Sequence, residues 1–433
     1  MNLQGVKVAV VGMARSGIAA VELLLEKGAQ VTAIDAKQTT IANLAIPVLP
    51  QTADSFAGAE LIVLSPGVPS DLDLLKSSPA RVIGDLELAS WFLEGDIIGI
   101  TGSNGKTTTT ALTGHILRES GISSQVGGNI GTPPCSMVES SKPGQWNVLE
   151  LSSFQLETTD TFRPRIGAAL NISPDHLDRH YTIENYAAQK ARLFRNQLPG
   201  DTAVLNADDP WTVRFASQTK ATAKWFSSAG AHRPGSWIES DQLIVDDEFL
   251  MPASEVPLRG IHNLENTMAA ALMAGEAGAS LAQIRDSVKT FPGVEHRLEF
   301  VRNVGGIDWY NDSKATNVDA TLKALAAFPG KLWVILGGKD KDTDYSALRE
   351  PLRAKAHAAL LIGAAADKIE RQLHGSVELI RSATLAAAIA ETQRLARPGD
   401  TVLLAPACAS FDQFKNFEHR GQEFKRLVGE LRA

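Results

Sequence analysis

The sequence predicts an α/β protein of three domains, and three observations carry that expectation. Short unbroken β-branched or aliphatic runs of strand length recur along the chain, as in buried parallel strands. Amphipathic stretches of helical period alternate with them, which is the pattern of βαβ units. The length of 433 residues, at about 150 residues per domain, gives about three domains. The domains are expected at 1–88, 89–293 and 294–433, each opening where a new series of strand and helix patterns begins.

In order, Val6–Val11, aliphatic but for Lys7, reads as a first strand rather than a signal peptide. Ser16–Lys27 carries Ile18, Val21, Leu24 and Leu25 at helical spacing, and Gly28 stops it. Gln30–Ile34 and Leu61–Leu64 are further strands, ending at Asp35 and at Ser65-Pro66-Gly67. A second unit opens with a strand at Ile97–Ile100, a glycine-rich loop and a helix at Thr107–Glu119. Strands follow at Val148–Leu151, Ala168–Asn171 and Ala203–Asn206, and residues 225–258 read as antiparallel from their short runs and turn residues. An alanine-rich helix covers Asn263–Ala277. The third unit has strands at Ile307–Tyr310, Leu332–Leu336, Ala358–Ile362 and Thr401–Leu404 with helices between. No short internal repeat is present.

Composition narrows the function class. Hydrophobic residues make up 44% and charged residues 21%, which suffices for a core in each domain. Lys and Arg total 42 against 49 Asp and Glu, a net charge of −7, so neither nucleic acid nor an anionic membrane is an expected partner. Cys135 and Cys408 are too few for a disulfide framework or a four-cysteine zinc site and are expected to be buried thiols. No run approaches 18 uncharged apolar residues, so a cytoplasmic chain is expected.

Two strand-to-helix corners carry phosphate-binding signatures. Gly12-Met13-Ala14-Arg15-Ser16-Gly17 is close to a dinucleotide fingerprint, but Ala14 stands where the middle glycine lets a pyrophosphate approach the backbone. A nicotinamide site, another nucleotide and a plain structural turn all remain open there. Thr101-Gly102-Ser103-Asn104-Gly105-Lys106-Thr107 is a P-loop variant, with Ile100 where the usual first glycine would stand. It makes the central domain a P-loop-type ATPase domain, between Rossmann-like N- and C-terminal domains. Lys106 is placed for the outer phosphates and the Thr107 hydroxyl for Mg²⁺. Glu150, ending a neighbouring strand, is a second candidate magnesium ligand; Asp175-His176 reads as another strand end, with His176 a further ligand.

Together with these, Leu149-Glu150-Leu151-Ser152-Ser153-Phe154-Gln155-Leu156-Glu157, Asn171-Ile172-Ser173-Pro174-Asp175-His176-Leu177-Asp178 and Asn206-Ala207-Asp208-Asp209 resemble the Mur ligases, the ATP-dependent amino-acid ligases of peptidoglycan synthesis. His296-Arg297-Leu298-Glu299, Asn311-Asp312-Ser313-Lys314-Ala315-Thr316-Asn317 and the segment Pro406 to Phe417 are most similar to the members that add D-glutamate to UDP-N-acetylmuramoyl-L-alanine. The resemblance runs from residue 5 to near the C-terminus.

The resemblance implies a role for each matching residue. Arg15 and Ser16 would meet the diphosphate of the nucleotide-sugar, Asp35 and Lys37 the uridine, with Ser65 and Gly67 in the same wall. Ala36 departs from the hydroxyl residue of the family pattern. Gly102, Ser103, Asn104, Gly105, Lys106, Thr107 and Thr108 would cradle ATP, His262 and Asn266 would flank adenine, and Arg297 and Asp312 would serve the nucleotide from the third domain. Thr107, Glu150, His176 and Lys190 would serve two Mg²⁺ ions. Lys190 by itself reads as a solvated helix lysine, but it matches the family's carbamylated lysine. Asn129, Ser152 and Ser153 would line the path to the muramoyl group. Lys314, Thr316, Lys341, Ser410 and Phe417 would receive D-glutamate, with Lys339 an unexpected extra cation. A monomer acting on small molecules is implied. The alternatives within this architecture are an L-alanine- or diaminopimelate-adding ligase, or a folylpolyglutamate synthase-like one. The Asp-Asn-Pro-Arg signature of the diaminopimelate enzymes is missing. Outside it stand an ATP-driven binding switch and a nicotinamide oxidoreductase.

Overall fold

The structure, a computed structural model, describes residues 1–37, 41, 44–76 and 78–432. The chain packs into two compact units, one of residues 1–256 and 265–291, the other of 257–264 and 292–433. The first unit holds two sheets. One has the order β3-β2-β1-β4-β5 and is wholly parallel, built from β1 (Lys7–Val11), β2 (Gln30–Asp35), β3 (Val48–Pro50), β4 (Leu61–Leu64) and β5 (Arg81–Gly84). Its central strand is apolar from Val8 to Val11 because both faces are covered there. Val8 and Val10 pack with Ala20 and Leu24 of the helix Arg15–Glu26, whereas Ala9 and Val11 pack with Ile34, Phe56 and Ile62. The helix ends where Gly28 adopts a positive φ of 79°.

The other sheet of this unit contains β6 (Asp96–Thr101), β7 (Ser124–Gly128), β8 (Trp146–Glu150), β9 (Ile166–Ala169), β10 (Thr202–Asn206), β11 (Thr222–Ser227), β12 (Gly235–Glu239), β13 (Gln242–Val245) and β14 (Glu248–Pro252), in the order β14-β13-β12-β11-β10-β9-β6-β8-β7. The direction of winding reverses at β6, the strand that feeds the P-loop, so the loop opens at a switch point of the sheet. The expectation of an antiparallel 225–258 holds only from β12 onward. β11 pairs parallel with β10 and with β12, and only the β12–β13–β14 meander is antiparallel.

The second unit contains one sheet, β15 (Glu299–Val304), β16 (Ile307–Asn311), β17 (Leu332–Gly337), β18 (Ala356–Ile362), β19 (Glu378–Ala383) and β20 (Thr401–Leu404), ordered β15-β16-β20-β17-β18-β19. β17 explains its own apolar run, since Leu332, Val334 and Leu336 enter the core on one face and Trp333 and Ile335 the core on the other. β15 is the antiparallel edge strand. No helix among the described residues is long and apolar enough to cross a membrane.

Two carboxylates two residues apart, both buried, have opposite surroundings. Glu87 accepts the Thr161 hydroxyl, the backbone N–H groups of Asp160, Thr161 and Phe162, each at 2.9 Å, and Trp91 Nε1–H at 3.1 Å. Burial alone would raise its carboxyl, but these donors reverse the sign and hold it below the usual value. Asp85 is 1% exposed, and neither carboxylate oxygen makes a hydrogen bond. The polar groups of Ser16 and Gln155 and the N–H of Leu86 approach without closing one, and burial pushes its pKa up to about 6. A carboxyl raised in the folded state favours folding while protonated, and that contribution is lost as pH rises from about 4 to about 6. Above that range ionised Asp85 costs about 3 kcal/mol. Asp85→Asn is therefore expected to stabilise the protein by about 1–3 kcal/mol near pH 8 and to leave it unchanged near pH 4. Urea unfolding at the two pH values checks this, and a destabilised variant near pH 8 would show that the ionised carboxylate is stabilised in place.

Candidate active site

The P-loop is shaped by backbone conformations that only glycine adopts at ease. Gly102 and Gly105 have φ of 154° and 84°, and a Cβ on Gly105 would come within 2.3 Å of Asn266 Oδ1. Asn266 thus packs directly beneath the loop, where its Oδ1 also accepts from Thr109 Oγ1 at 3.2 Å. Gly105 leads into the helix Lys106–Glu119, in which Thr107 and Thr108 are buried in the first turn. The Lys106 ammonium folds over the loop and donates to the carbonyls of Gly102 (2.7 Å) and Ser103 (2.9 Å). Asn171 clamps the loop from the segment just after β9, its Oδ1 accepting from Asn104 N at 2.8 Å and its Nδ2 donating to Asn104 O at 3.2 Å. Asn171 was legible only as part of a motif; its clamping role needs the sheet order that sets β9 beside β6.

Lys190 is not a solvated lysine. It lies on the helix Ile183–Ala191, is 1% exposed, and donates to Gly102 O at 2.9 Å and Thr101 Oγ1 at 3.3 Å. Burial first, and then the charge of Lys106, drive its pKa well below the usual lysine value against the pull of Asp175 and Glu150. Two lysines therefore converge on the Gly102 carbonyl. The Tyr186 ring lies 4.7 Å from the Lys190 ammonium, and its hydroxyl is 3.2 Å from Ser103 Oγ. Tyr186 was missed in the sequence, although its place one helical turn before Lys190 was the available signal.

Glu150 ends β8 as expected and is buried. Its Oε1 accepts from Asn129 Nδ2 at 3.0 Å, and Oε2 has no hydrogen-bond partner. Gly128 permits this approach, since a Cβ there would lie 2.2 Å from Glu150 O. His176 departs from expectation. β9 ends at Ala169, and His176 lies in the loop beyond, with φ of 52°, as the residue that begins the short helix Leu177–His180. The Pro174 turn separates it from the strand, so it is not a strand-tip residue; its half-exposed ring packs 4.9 Å from Phe154. Among the described residues no three His, Cys, Asp or Glu side chains are grouped to hold a metal ion. Ser152 caps the helix Ser153–Glu157 through a capping box with Gln155, and Ser153 Oγ meets His180 Nε2 at 2.9 Å.

At the N-terminal corner, Gly12 has φ of 90°, and a Cβ on Gly17 would sit 1.8 Å from Gly12 O, so the helix docks on the strand only because Gly17 has none. Ser65 Oγ donates to that same carbonyl at 2.6 Å. Asp35 is bound into the corner itself, accepting from Met13 N (2.6 Å) and Lys37 N (2.8 Å). Its observed work is to hold the turn, a role its position at the strand end did not reveal. Arg15, Lys37 and Gly67 are exposed around the opening, with Arg15 Nη2 donating to Gly131 O at 2.5 Å; Ser16, one residue into the helix, is half-buried.

In the second unit Asp312 is buried, and burial pushes its pKa up to about 6 while the charges of Arg297 and Lys314 and the Leu298 N–H offset part of the cost. Lys314 lies 5.4 Å from the centre of the Phe417 ring. Lys314 N donates to His296 O, and Thr316 N to Lys314 O. His262, also in this unit, is held neutral by burial, its pKa lowered to about 4. Ser410 is buried, whereas Lys339 and Lys341 are exposed on the loop after β17, whose Lys339 N donates to Ala409 O at 2.8 Å.

Two family models match the chain, the Mur ligase middle domain over residues 100–274 and the Mur ligase, glutamate ligase domain over 296–408. The chain is 58% identical to the UDP-N-acetylmuramoylalanine--D-glutamate ligase of Solibacter usitatus (strain Ellin6076), covering 100% of this chain and 99% of that protein. It is 48% identical to the protein of the same name from Acidobacterium capsulatum, over 99% and 97% of the two chains. Among solved structures, a MurF ligase from Thermotoga maritima in complex with ADP superposes with a TM-score of 0.63 at 17% identity, over 99% of this chain and 96% of the other, a likeness of fold. With a P-loop corner on which two lysines converge, one of them buried, and full-length relatives of this identity, the chain belongs to the Mur ligase family.

Proposed function

We propose that the protein is an ATP-dependent ligase that adds D-glutamate to UDP-N-acetylmuramoyl-L-alanine, forming ADP and phosphate. The observation that carries this reading is identity of 58% along the whole chain to a relative of that printed activity. The corner at Gly102–Thr107 supplies the chemistry such an activity needs. In this reading the domains are 1–88, 89–293 and 294–433, and the enzyme works as a cytoplasmic monomer. The N-terminal corner around Gly12, Arg15, Ser16 and Ser65 takes the nucleotide diphosphate, with Asp35, Lys37 and Gly67 at the uridine end; Asn129 and Ser152 line the route to the L-alanyl carboxylate. Asn266, Arg297 and Asp312 serve the nucleotide, and Lys314, Thr316, Lys341, Ser410 and Phe417 hold D-glutamate.

The carboxylate oxygen of the L-alanyl arm attacks the γ-phosphorus, and the bond from that phosphorus to the ADP oxygen breaks. Two anions must meet, and Lys106 sets its positive charge against the outer phosphates as they do so. The Thr107 hydroxyl and the unpartnered Glu150 Oε2 are hard oxygen donors that fit Mg²⁺, with His176 the third candidate. When bound, two such ions supply further neutralising charge. The Lys190 amine, buried and biased toward the neutral form, is suited to carbamylation, in which it bonds to carbon dioxide and releases a proton; the resulting anion would be a further oxygen donor for magnesium. The acyl phosphate then meets the unprotonated D-glutamate amine. The N–C bond forms, the amine loses a proton, and phosphate leaves with the C–O bonding pair.

A coupled phosphate assay with UDP-N-acetylmuramoyl-L-alanine and ATP tests this. Phosphate is expected with D-glutamate and not with L-glutamate or diaminopimelate. Release with diaminopimelate instead would assign the chain to another branch, and release with no amino acid would make it an ATP-driven switch.

A further inference from the structure

The loop from Gly338 to Tyr345, which carries Lys341, is tied down by a partly buried chain of hydrogen bonds that ends beside Ser410. Asp340 Oδ1 accepts from the Tyr345 hydroxyl at 2.9 Å and from Thr343 N at 3.1 Å, and Oδ2 accepts from Lys368 Nζ at 2.9 Å. The Tyr345 hydroxyl has its proton committed to Asp340, and its lone pair faces Cys408 Sγ at 3.0 Å. Tyr345 and Cys408 are both buried, at 0% and 2% exposure. Burial pushes the Cys408 thiol up to about 11 and raises the Tyr345 phenol, while Lys368 and the other donors, working against burial, keep Asp340 low. The order of donation is therefore fixed, from Cys408 S–H to the Tyr345 oxygen and from Tyr345 O–H to the Asp340 carboxylate.

This chain joins three segments. Cys408 lies two residues before Ser410, in a loop where Ala407 takes a φ of 59° and donates its N–H to Ala315 O, between Lys314 and Thr316. Lys339 N donates to Ala409 O, and Ala365 N to Gly338 O. We propose that Tyr345 is a positioning residue for the amino-acid substrate, holding the Lys341 loop in register with Ser410 and the Lys314–Thr316 segment through Asp340 and Cys408. The proposal rests on the reading that these residues hold D-glutamate. A dicarboxylate is gripped well only if cations and hydroxyls from separate loops keep fixed spacings, and a hydroxyl that touches no substrate sets that spacing.

Tyr345→Phe keeps the ring and removes both bonds. In the phosphate assay its KM for D-glutamate is expected to rise about tenfold, the loss associated with one charge-assisted hydrogen bond. kcat and the KM values for ATP and the nucleotide-sugar are expected to stay within about twofold. Cys408→Ala interrupts the chain at its other end and is expected to raise the same KM, whereas Cys408→Ser, which keeps a donor, is expected to restore it; this pair also serves if Tyr345→Phe does not fold. A D-glutamate KM within about twofold of the parent, or an equal loss in every kinetic constant, overturns the positioning role. A parent enzyme that releases no phosphate with D-glutamate overturns the substrate reading and this proposal together, which is a different result from parent turnover with an unmoved KM.

Discussion

Lys106→Ala is expected to lower ATP-dependent phosphate release by about a hundredfold or more, the scale of losing a preorganised charge at a phosphoryl-transfer site. The structure gives the reason for so large an effect from one side chain. The loop's backbone is partly committed to itself, with Ser103 N donating to Asn171 O and Asn104 N to Asn171 Oδ1. The flexible Lys106 ammonium, resting on the Gly102 and Ser103 carbonyls, can swing onto a phosphate without unmaking that clamp. Lys190, the other cation at the loop, is buried and biased toward the neutral form, so it is a poor substitute. Thermal unfolding is expected to change little, because Lys106 is only half-buried and the Gly102 carbonyl still accepts from Lys190. A folded variant keeping more than about a tenth of the parent rate would remove Lys106 from this role.

What could be read from the chain and what could not divides along the range of the interactions. The run Val8–Val11 and the corner Gly102–Thr107 were legible because burial on both faces of a strand, and the positive φ of a loop glycine, leave their mark within a few residues. Asp35 was correctly located and incompletely interpreted: its two accepted bonds depend on how the chain turns back at Met13. His176 was read as a strand tip, but β9 ends at Ala169 and the chain bends at Pro174 before the histidine. The segment 225–258 misled for a related reason. Short runs separated by turn residues suit a meander, and the parallel pairing of β11 with β12, where Trp225 N donates to Pro234 O, depends on how the chain returns to the sheet and not on local composition. Asp85 and Glu87 show the limit most directly. They are the same chemical type two positions apart, and the tertiary fold gives one five donated hydrogen bonds and leaves the other without a closed one.

Lys190→Ala is expected to reduce the rate severely, by about a hundredfold or more if an anion on that side chain helps to organise the phosphates. A solvated helix lysine would show no such loss, so its burial beside Gly102 O and Thr101 Oγ1 is the distinguishing fact. Two readings of the burial then differ in what added reagents do. If Lys190 acts only as a prop for the loop carbonyl, alanine leaves a gap that small carboxylates cannot usefully fill, and the rate stays low. If its amine is carbamylated, the missing feature is a carboxylate-like anion at the end of a stem, and short carboxylates such as formate or acetate are expected to enter the space and restore part of the activity. Rescue is expected to grow with carboxylate concentration and to be absent in the parent and in Lys106→Ala, whose defect is a missing cation. An unassisted rate equal to the parent would take Lys190 out of the site, and a low rate indifferent to every carboxylate would leave it a structural lysine holding the Gly102 carbonyl.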